Sequence, residues 1–271
     1  MKVKTIQAKS FMTKTNIGGS DFTCNPFIGC QHGCIYCYAK YMLNGRDTNE
    51  IWGSFVEVKQ YLNHNIPKGT GSKNLIFSSA TDPYQPIEKN VESVKHILED
   101  IVESDLKVSI LTKSGLIVRD IDLLSKMKNV EVGFSIALND ELAKQIEPGA
   151  SLPSVRIEAL KALKERGIKT YVFIAPIIPI LTNVFQIIDS TKDFVDYYMF
   201  DSLNLKHPDN QKNIFQFINQ YFPDLLKDYQ DIFIHRNSPY YNSLRDGIID
   251  YVNKNNIQIR YIYDRKEERR W

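Results

Sequence analysis

Cysteine is scarce in this sequence: four residues among 271, the last of them Cys37. A chain so poor in cysteine has no disulfide framework to hold it together. No apolar run approaches the roughly 20 residues of a membrane-spanning helix, and the first four residues lead into no apolar signal-peptide core. The net charge of +2 is near zero, so it neither indicates nor excludes a nucleic-acid partner. We therefore expect a cytoplasmic protein without membrane association.

What the sequence does contain is a regular alternation of short β-branched segments and longer amphipathic ones. Strand, helix and strand, repeated about every 30 residues, are typical of a parallel sheet whose strands are joined by helices. The number of repeats favours an α/β fold with a closed or partial (β/α) barrel, mainly parallel strands and outer helices, over a small open sheet. Strands are predicted over 74–79, 107–111, 130–136, 169–175, 196–200, 231–235 and 257–263, and helices over 86–104, 155–166, 212–226 and 241–253.

No low-complexity linker divides the chain. We therefore predict one domain over 1–271, with an N-terminal extension over 1–21 and a C-terminal part from about 211 to 271. The final segment, 265–271, mixes arginine and glutamate, which is typical of a solvated tail; contact with nucleic acid is the alternative. Active sites of such barrels gather at the carboxyl ends of the strands, so the residues after each predicted strand are the first candidates for function.

Three of the four cysteines lie close together, with Cys30, Cys34 and Cys37 spaced C-x3-C-x2-C. Soft thiolates in this number suit zinc or an iron–sulfur cluster. A structural zinc site normally closes with four ligands, and only Cys24 is left to supply the fourth. A cubane cluster on three cysteines instead keeps one iron open. Structural zinc, or a closed electron-transfer cluster that uses Cys24, are the alternatives.

With an aromatic residue before its last cysteine, the motif Cys30-x3-Cys34-x-Tyr36-Cys37 resembles the signature of the radical S-adenosylmethionine (SAM) superfamily. The wider segment 25–39 resembles the spore-photoproduct-lyase-like branch, and 8–14 is similar to the radical SAM mobile pair proteins. The resemblance continues through 81–86, 111–114, 119–122, 147–150 and 156–160. It therefore covers roughly the first two thirds of the chain, with several motifs in order.

This resemblance implies a 4Fe–4S cluster on the three thiolates and SAM on its open iron. One electron from a flavodoxin- or ferredoxin-like donor would cleave SAM to methionine and a 5′-deoxyadenosyl radical, which abstracts hydrogen from the substrate. The branch suggests nucleic acid as that substrate. A peptide or partner protein is one alternative, because mobile-pair relatives are encoded beside a second radical SAM protein. A non-catalytic iron–sulfur or zinc protein is the other.

The resemblance also implies cofactor contacts for residues at strand ends. Tyr36 would lie near the adenine, through its backbone. Thr81 and Asp82 would bind the methionyl amino group, although the run that follows them is also typical of a turn. Lys113 suits the methionyl carboxylate, with a solvent-facing charge as the alternative. Ser135 is expected to offer its hydroxyl to the ribose.

Two further sets of residues follow from the same reasoning. Arg156, with Glu147, is expected to secure the cofactor, because a guanidinium grips a carboxylate with two parallel hydrogen bonds; a structural salt bridge is the alternative. Asp201, Ser202 and Asn204 follow the strand predicted over 196–200 and are expected to face the substrate. His32, between two of the cysteines, is expected to be a solvent-facing or supporting group.

One departure from the branch bears on the reaction. Spore photoproduct lyase carries a further cysteine on its second-strand segment, where this chain reads Ser78-Ser79-Ala80. A hydroxyl does not replace a thiol as hydrogen-atom donor, because its O–H bond is much stronger. The repair of thymine dimers is therefore not expected of this chain.

Overall fold

The computed structural model describes residues 1–43 and 50–264, so the predicted tail at 265–271 lies outside the described residues. Two compact units are present. The first comprises Met1–Cys34, Asn139–Tyr171 and the described residues of Ala39–Phe134. The second comprises Ile35–Tyr38, Ser135–Leu138 and the described residues from Val172 onward. That all of this forms one functional domain stays a prediction.

The main sheet of the first unit is mostly parallel. Its strands lie in the order β2-β3-β6-β7-β8, and only the short edge strand β2 runs antiparallel to its neighbour. The residues of β6 and β7 alternate between a fully buried face and a half-buried one, as expected for a sheet with an apolar side. The strands are β2 (Thr13–Lys14), β3 (Phe22–Cys24), β6 (Asn74–Phe77), β7 (Lys107–Thr112) and β8 (Val130–Ser135).

A second, three-stranded sheet in the first unit was not predicted. Strand β1 (Lys2–Ser10) pairs in parallel with β5 (Phe55–Asn63), which also pairs with β4 (Phe27–Ile28). Most side chains of β1 are exposed, so its sequence shows no alternation of apolar and polar residues. The backbone ladder to β5 orders this segment, which explains why sequence reasoning treated 1–21 only as an extension.

The helices of the first unit agree with the amphipathic pattern, with one interruption. The helix predicted over 86–104 is divided at Glu92, whose φ of 49° is left-handed. The helix predicted over 155–166 is α5, which begins with a proline and is followed by Gly167 at φ 73°. The helices are α1 (Glu88–Val91), α2 (Ser93–Ile101), α3 (Ile121–Leu124), α4 (Asp140–Ile146) and α5 (Pro153–Glu165).

In the second unit, strands and helices again alternate. Its strands lie in the order β9-β10-β11, and β11 runs parallel to β10. Each of β6 to β10 begins at the predicted residue or one residue later. The elements are β9 (Lys169–Ile177, begun in the first unit), α6 (Val184–Thr191), β10 (Tyr197–Ser202), α7 (Pro208–Tyr221), α8 (Leu226–Gln230), α9 (Tyr240–Lys254) and β11 (Ile259–Ile262).

The strand predicted over 231–235 is wrong. Asp231–His235 is a π-helical turn that continues directly from α8. Its sequence, Asp-Ile-Phe-Ile-His, is a short apolar run between polar ends, and a run of this length cannot be assigned to strand or helix by periodicity. Only Ile232 is fully buried, and Arg236 ends the turn at a left-handed φ of 53°. No helix in the described part of the chain is long and apolar enough to cross a membrane.

Candidate active site

The cysteine motif lies in a loop that follows β4. Cys30 and Cys34 are buried, Cys37 is half-buried, and none of the three forms a disulfide. Gly29 opens the loop at a left-handed φ of 83°, and a Cβ at this position would lie 2.6 Å from the carbonyl oxygen of Phe55. Only glycine fits that position, so the chain turns away from β4 directly before the first cysteine.

A second loop, after β6, holds the peptide groups around the first cysteine. The Thr81 hydroxyl donates to the Gly29 carbonyl at 2.6 Å. The Gln85 amide donates to Gly29 O at 3.3 Å and to Thr81 Oγ1 at 3.0 Å, and its carbonyl oxygen accepts from Gln31 N at 2.8 Å. Sequence reasoning assigned no role to Gln31 or Gln85; the signal for both was that they belong to the resembling segments 25–39 and 81–86.

Asp82 anchors this second loop to the end of β7. Its buried carboxylate accepts from the Thr112 hydroxyl at 2.6 Å and from Lys113 N at 2.8 Å. It also accepts from Tyr84 N at 2.9 Å, which closes the turn that was the alternative interpretation. Asp82 therefore organises its own loop, and its contact with a cofactor stays a prediction.

The motif Arg119-Asp120 braces the same loop. Arg119 donates to both Asp120 oxygens at 2.8 Å and to the Glu88 carboxylate at 2.7 Å. Asp120 in turn accepts from the Tyr84 hydroxyl at 3.1 Å. Burial raises the pKa of Tyr84 well above its usual range, and the Asp120 carboxylate raises it further. The phenol is therefore a fixed hydrogen-bond donor that connects the loop to a buried ion pair.

His32 is buried, so the prediction of a solvent-facing group is wrong and that of a supporting group stays. Its Nδ1 lies 3.4 Å from Asp82 Oδ2, and its buried Nε2 has no hydrogen-bond partner. Burial lowers the pKa of His32, against the opposing effect of the Asp82 carboxylate. The imidazole is thus neutral near pH 7 and offers one unpaired nitrogen inside the site.

Lys113 is half-buried beside the buried acid Glu147 rather than fully in solvent. Its burial would lower the pKa of the ammonium, but the Glu147 carboxylate and the Cys34 thiolate outweigh that effect and raise it. The lysine is therefore a firmly protonated cation near a cysteine of the motif. This charge suits an anionic ligand group, although the contact with a methionyl carboxylate stays a prediction.

Glu147 and Arg156 form a fully buried ion pair, with Arg156 Nη2 2.5 Å from Glu147 Oε2. Arg156 Nε also donates to the Ser151 carbonyl at 2.7 Å, so the guanidinium closes the loop between α4 and α5. Gly149, in that loop, donates its N–H to His32 O at 2.9 Å. The structural salt bridge expected as the alternative is thus present, and the role of Arg156 in cofactor binding stays a prediction.

In the second unit, Tyr36 is buried and its backbone is held by α7. Asn210 Nδ2 donates to Tyr36 O at 3.0 Å, and Asn213 Nδ2 donates to Ile35 O at 3.3 Å. The side-chain oxygen of Asn210, Oδ1, is buried without a hydrogen-bond partner. The carbonyl predicted to lie near adenine is therefore fixed by an asparagine that sequence reasoning did not single out.

Ser135 and the expected substrate-facing residues also lie in the second unit. The Ser135 hydroxyl donates to the Ala175 carbonyl at 2.6 Å, which leaves its oxygen able to accept. Asp201 and Ser202 are the last two residues of β10, and Asp201 accepts from Ser202 N at 2.9 Å. Asn204 accepts from Lys206 N at 3.0 Å in the turn that follows. Their contacts with ribose or substrate stay predictions.

Where spore photoproduct lyase has its extra cysteine, the backbone of this chain is hydrogen-bonded to the Asn25 side chain. Asn25 Oδ1 accepts from Ser79 N at 3.0 Å and from Ala80 N at 3.2 Å. Ser78 has a left-handed φ of 64° and a buried hydroxyl without a partner. No cysteine lies within this segment, as the sequence indicated.

The residues present fit an iron–sulfur cluster and a zwitterionic ligand. Three cysteines spaced within one loop are the soft donors that such a cluster takes. His32, whose buried Nε2 has no hydrogen-bond partner, lies between two of them in the sequence, and the charge of Cys34 acts on the Lys113 ammonium. No three His, Cys, Asp or Glu side chains in the described ranges converge on a single ion. A cubane does not require this, because each thiolate binds a different iron.

Comparison with known proteins identifies the family. Residues 24–183, more than half of the chain, match the model of the radical SAM superfamily. An uncharacterized protein of Methanocaldococcus jannaschii is 38% identical over 263 residues, which cover 97% of each chain. The radical SAM Nalpha-GlyT isomerase of Pseudomonas phage M6 is 27% identical over 161 residues, 57% of this chain and 32% of that protein.

Solved structures of spore photoproduct lyase share the fold. A mutant with bound AdoMet and dinucleoside spore photoproduct has a TM-score of 0.57 at 15% identity, over 82% of this chain and 76% of that one. The predicted partial barrel with mainly parallel strands and outer helices is thereby confirmed, as is the spore-photoproduct-lyase-like fold. The cysteine motif, its supporting loops and a matching segment that contains all of them lead to one conclusion: this chain belongs to the radical SAM superfamily.

Proposed function

We propose that the protein is a radical SAM enzyme that carries one 4Fe–4S cluster on Cys30, Cys34 and Cys37. The observation that carries this proposal is a loop with three cysteines outside any disulfide, in which the peptide groups around Cys30 are fixed by side chains from a separate loop. When bound and reduced, the cluster supplies the electron that cleaves SAM to methionine and a 5′-deoxyadenosyl radical, which takes hydrogen from the substrate.

The chain's own residues bind and orient the ligand. The protonated Lys113 offers a cation for the methionyl carboxylate, and Asp82 offers an acceptor for the methionyl ammonium beside Thr81. Tyr36 presents a backbone carbonyl that Asn210 holds in place, and Ser135 keeps an oxygen that can accept a hydrogen bond. Arg156 supports the site indirectly. Its side chain binds Ser151 O and Glu147, and the loop that contains Ser151 contacts His32.

Nucleic acid is the substrate class that we propose first. The support is the fold shared with spore photoproduct lyase, which is solved with a dinucleoside spore photoproduct. The repair reaction itself is not proposed, because this chain has no thiol after Cys37 to return a hydrogen atom. The second candidate is a peptide or partner protein, with a second radical SAM protein among the partners, on the resemblance of 8–14 to mobile pair proteins.

The test of the chemistry is anaerobic reconstitution with iron and sulfide, followed by reduction in the presence of SAM. We expect 5′-deoxyadenosine from the wild-type protein and none from a Cys34→Ala variant treated in the same way. A cluster that forms and is reduced but yields no 5′-deoxyadenosine would instead support a non-catalytic iron–sulfur protein. Zinc in place of iron would support a structural metal site.

The substrate class needs a separate experiment. Affinity for a fluorescent oligonucleotide should fall as salt rises if phosphates are bound, because each neutralised phosphate releases counterions. Recovery of a defined protein partner, together with oligonucleotide affinity that does not change with salt, would favour the second candidate.

A further inference from the structure

Both peptide groups that flank Cys30 are held by a single side chain. Gln85 donates its amide N–H to Gly29 O at 3.3 Å, on the peptide before the cysteine. Its carbonyl oxygen accepts from Gln31 N at 2.8 Å, on the peptide after it. Gln85 is completely buried, and it lies 54 residues from Gln31 in the sequence. The side chain therefore replaces a strand neighbour in satisfying the backbone around the first cysteine.

The side chain of Gln31, in the cysteine loop, in turn binds the backbone of the loop that contains Gln85. The side-chain oxygen of Gln31 accepts from the backbone N–H of Ile87, two residues beyond Gln85. The Thr81 hydroxyl adds a third tie, to Gly29 O at 2.6 Å. The cysteine loop and the 81–87 loop are thus joined by bonds that run in both directions. A separation of either loop breaks all of them together.

We propose that Gln85 is a positioning residue that, with Gln31, clamps Cys30 in place and makes the cysteine loop and the Asp82 loop move as one body. Asp82 is itself fixed to the end of β7 by the Thr112 hydroxyl and Lys113 N. Through the Asp82 loop, the clamp therefore fixes the position of Cys30 relative to β7. Its consequence for cluster retention rests on the proposed function, whereas the clamp itself does not.

The clamp is tested first in the full-length, metal-free protein, by the rate at which iodoacetamide alkylates Cys30, measured by peptide mass spectrometry. A Gln85→Leu substitution keeps the bulk but removes every polar contact of the side chain. We expect Cys30 to react about tenfold faster or more, because each lost hydrogen bond changes the loop-opening equilibrium roughly fivefold. A Gln31→Leu variant should show about a fivefold increase.

Two controls separate the clamp from general loss of structure. Cys24 is fully buried elsewhere in the first unit, so its alkylation should stay negligible in every folded variant. Gln60→Leu makes the same change at an exposed position of β5 and should leave the Cys30 rate unchanged. If Cys24 becomes reactive in Gln85→Leu, that variant has lost its fold, and the Cys30 alkylation rate of Gln31→Leu then tests the proposal. Wild-type Cys30 rates in both folded variants would overturn the proposal.

The second arm uses the reconstituted protein and needs no turnover. Iron release to a chelator, followed by absorbance, should be about tenfold faster from Gln85→Leu than from the wild type and from Gln60→Leu. A wild-type protein that holds no cluster would contradict the proposed function, while the alkylation rates would still decide the clamp. Equal iron release from a variant whose Cys30 alkylates faster would show that the clamp does not serve the cluster, and would overturn that part of the proposal.

Discussion

At the scale of single residues, the most costly group in the first unit is Arg156. Its side chain has 0% exposure, and the carboxylate that neutralises it, on Glu147, is also buried. Both ions have lost their hydration, so each depends on the other. The charge is tolerated because the guanidinium also satisfies the Ser151 carbonyl and so closes the loop between α4 and α5.

Replacement of Arg156 by methionine should destabilise the protein by about 3–5 kcal/mol, because it leaves the Glu147 carboxylate buried and unpaired. Chemical unfolding of the metal-free protein measures this. Arg166→Met is the matched control, since Arg166 pairs with Asp122 at the surface and should contribute no more than about 0.5 kcal/mol. Similar costs at the two positions would contradict the importance of the buried pair.

Cys24 differs from the three motif cysteines by its surroundings. Burial raises the pKa of its thiol to about 12, against the smaller opposing effects of Lys59 and of a hydrogen bond with Tyr61. In the metal-free chain this thiol therefore stays protonated near neutral pH. Cys24 is also the last residue of β3 and lies outside the cysteine loop, so we expect the cluster site to form without it.

A Cys24→Ala variant should therefore bind as much iron on reconstitution as the wild type, whereas Cys34→Ala should lose most of it. Iron and sulfide content per chain provide the measurement. A parallel loss of iron from Cys24→Ala, in a protein that still unfolds cooperatively, would restore Cys24 as a ligand.

At the scale of elements, the loops after the strands carry both function and strain. After β9, the Leu181 N–H donates to Pro179 O at 2.7 Å, which closes a three-residue turn around Ile180. Ile180 has a left-handed φ of 67°, which a β-branched residue rarely adopts, and 47% of its surface is exposed. The Tyr240 hydroxyl accepts the Ile180 N–H at 2.8 Å and so helps to maintain this conformation.

Ile180→Asn should stabilise the protein by about 0.5–1 kcal/mol, because asparagine tolerates the left-handed conformation and little apolar burial is lost. Ile234→Asn is the control: this isoleucine is also exposed, but no left-handed φ is found there, so no gain is expected. Melting temperatures of the two variants decide. Destabilisation by Ile180→Asn would mean that the isoleucine side chain packs more tightly than its exposure suggests.

The loop between α4 and α5 meets the cysteine loop backbone to backbone. A Cβ on Gly149 would lie 2.1 Å from Gln31 O, so Gly149→Ala must separate the two loops. We expect a loss of about 1–3 kcal/mol in stability and weaker iron retention. Gly18→Ala, where a Cβ would meet nothing within 4 Å, should change neither quantity. Equal behaviour of the two variants in unfolding and in iron release would show that the loops separate without cost.

At the scale of the whole molecule, cluster binding should be visible as stability. A ligand that binds the folded chain better than the unfolded one raises the melting temperature. We expect anaerobic reconstitution to raise it by about 5 °C or more, and chelation to reverse the change. Cys34→Ala is the control, since reconstitution should not shift its melting temperature. An unchanged wild-type melting temperature despite full iron loading would contradict this coupling.

The sequence by itself determined much of this protein. The alternation of apolar segments located β6 to β10 and α5, because period and length are local properties that burial enforces. The spacing of Cys30, Cys34 and Cys37 suits zinc or an iron–sulfur cluster, and the resemblance of the motif to the radical SAM signature led to the family, because residues in one short loop do not depend on distant parts of the chain. The same local patterns were misleading at Asp231–His235, where a short apolar run fits a helical turn as well as a strand.

Only the tertiary structure decided which side chains hold the site together. The contact between Gln85 and Gln31 joins residues 54 positions apart, and no local pattern distinguishes a clamping glutamine from an exposed one. Strand β1 was likewise missed, because its order comes from a backbone ladder to β5 rather than from its own side chains. Spacing and periodicity reveal what neighbouring residues do together, whereas hydrogen bonds between distant loops exist only once the chain has folded.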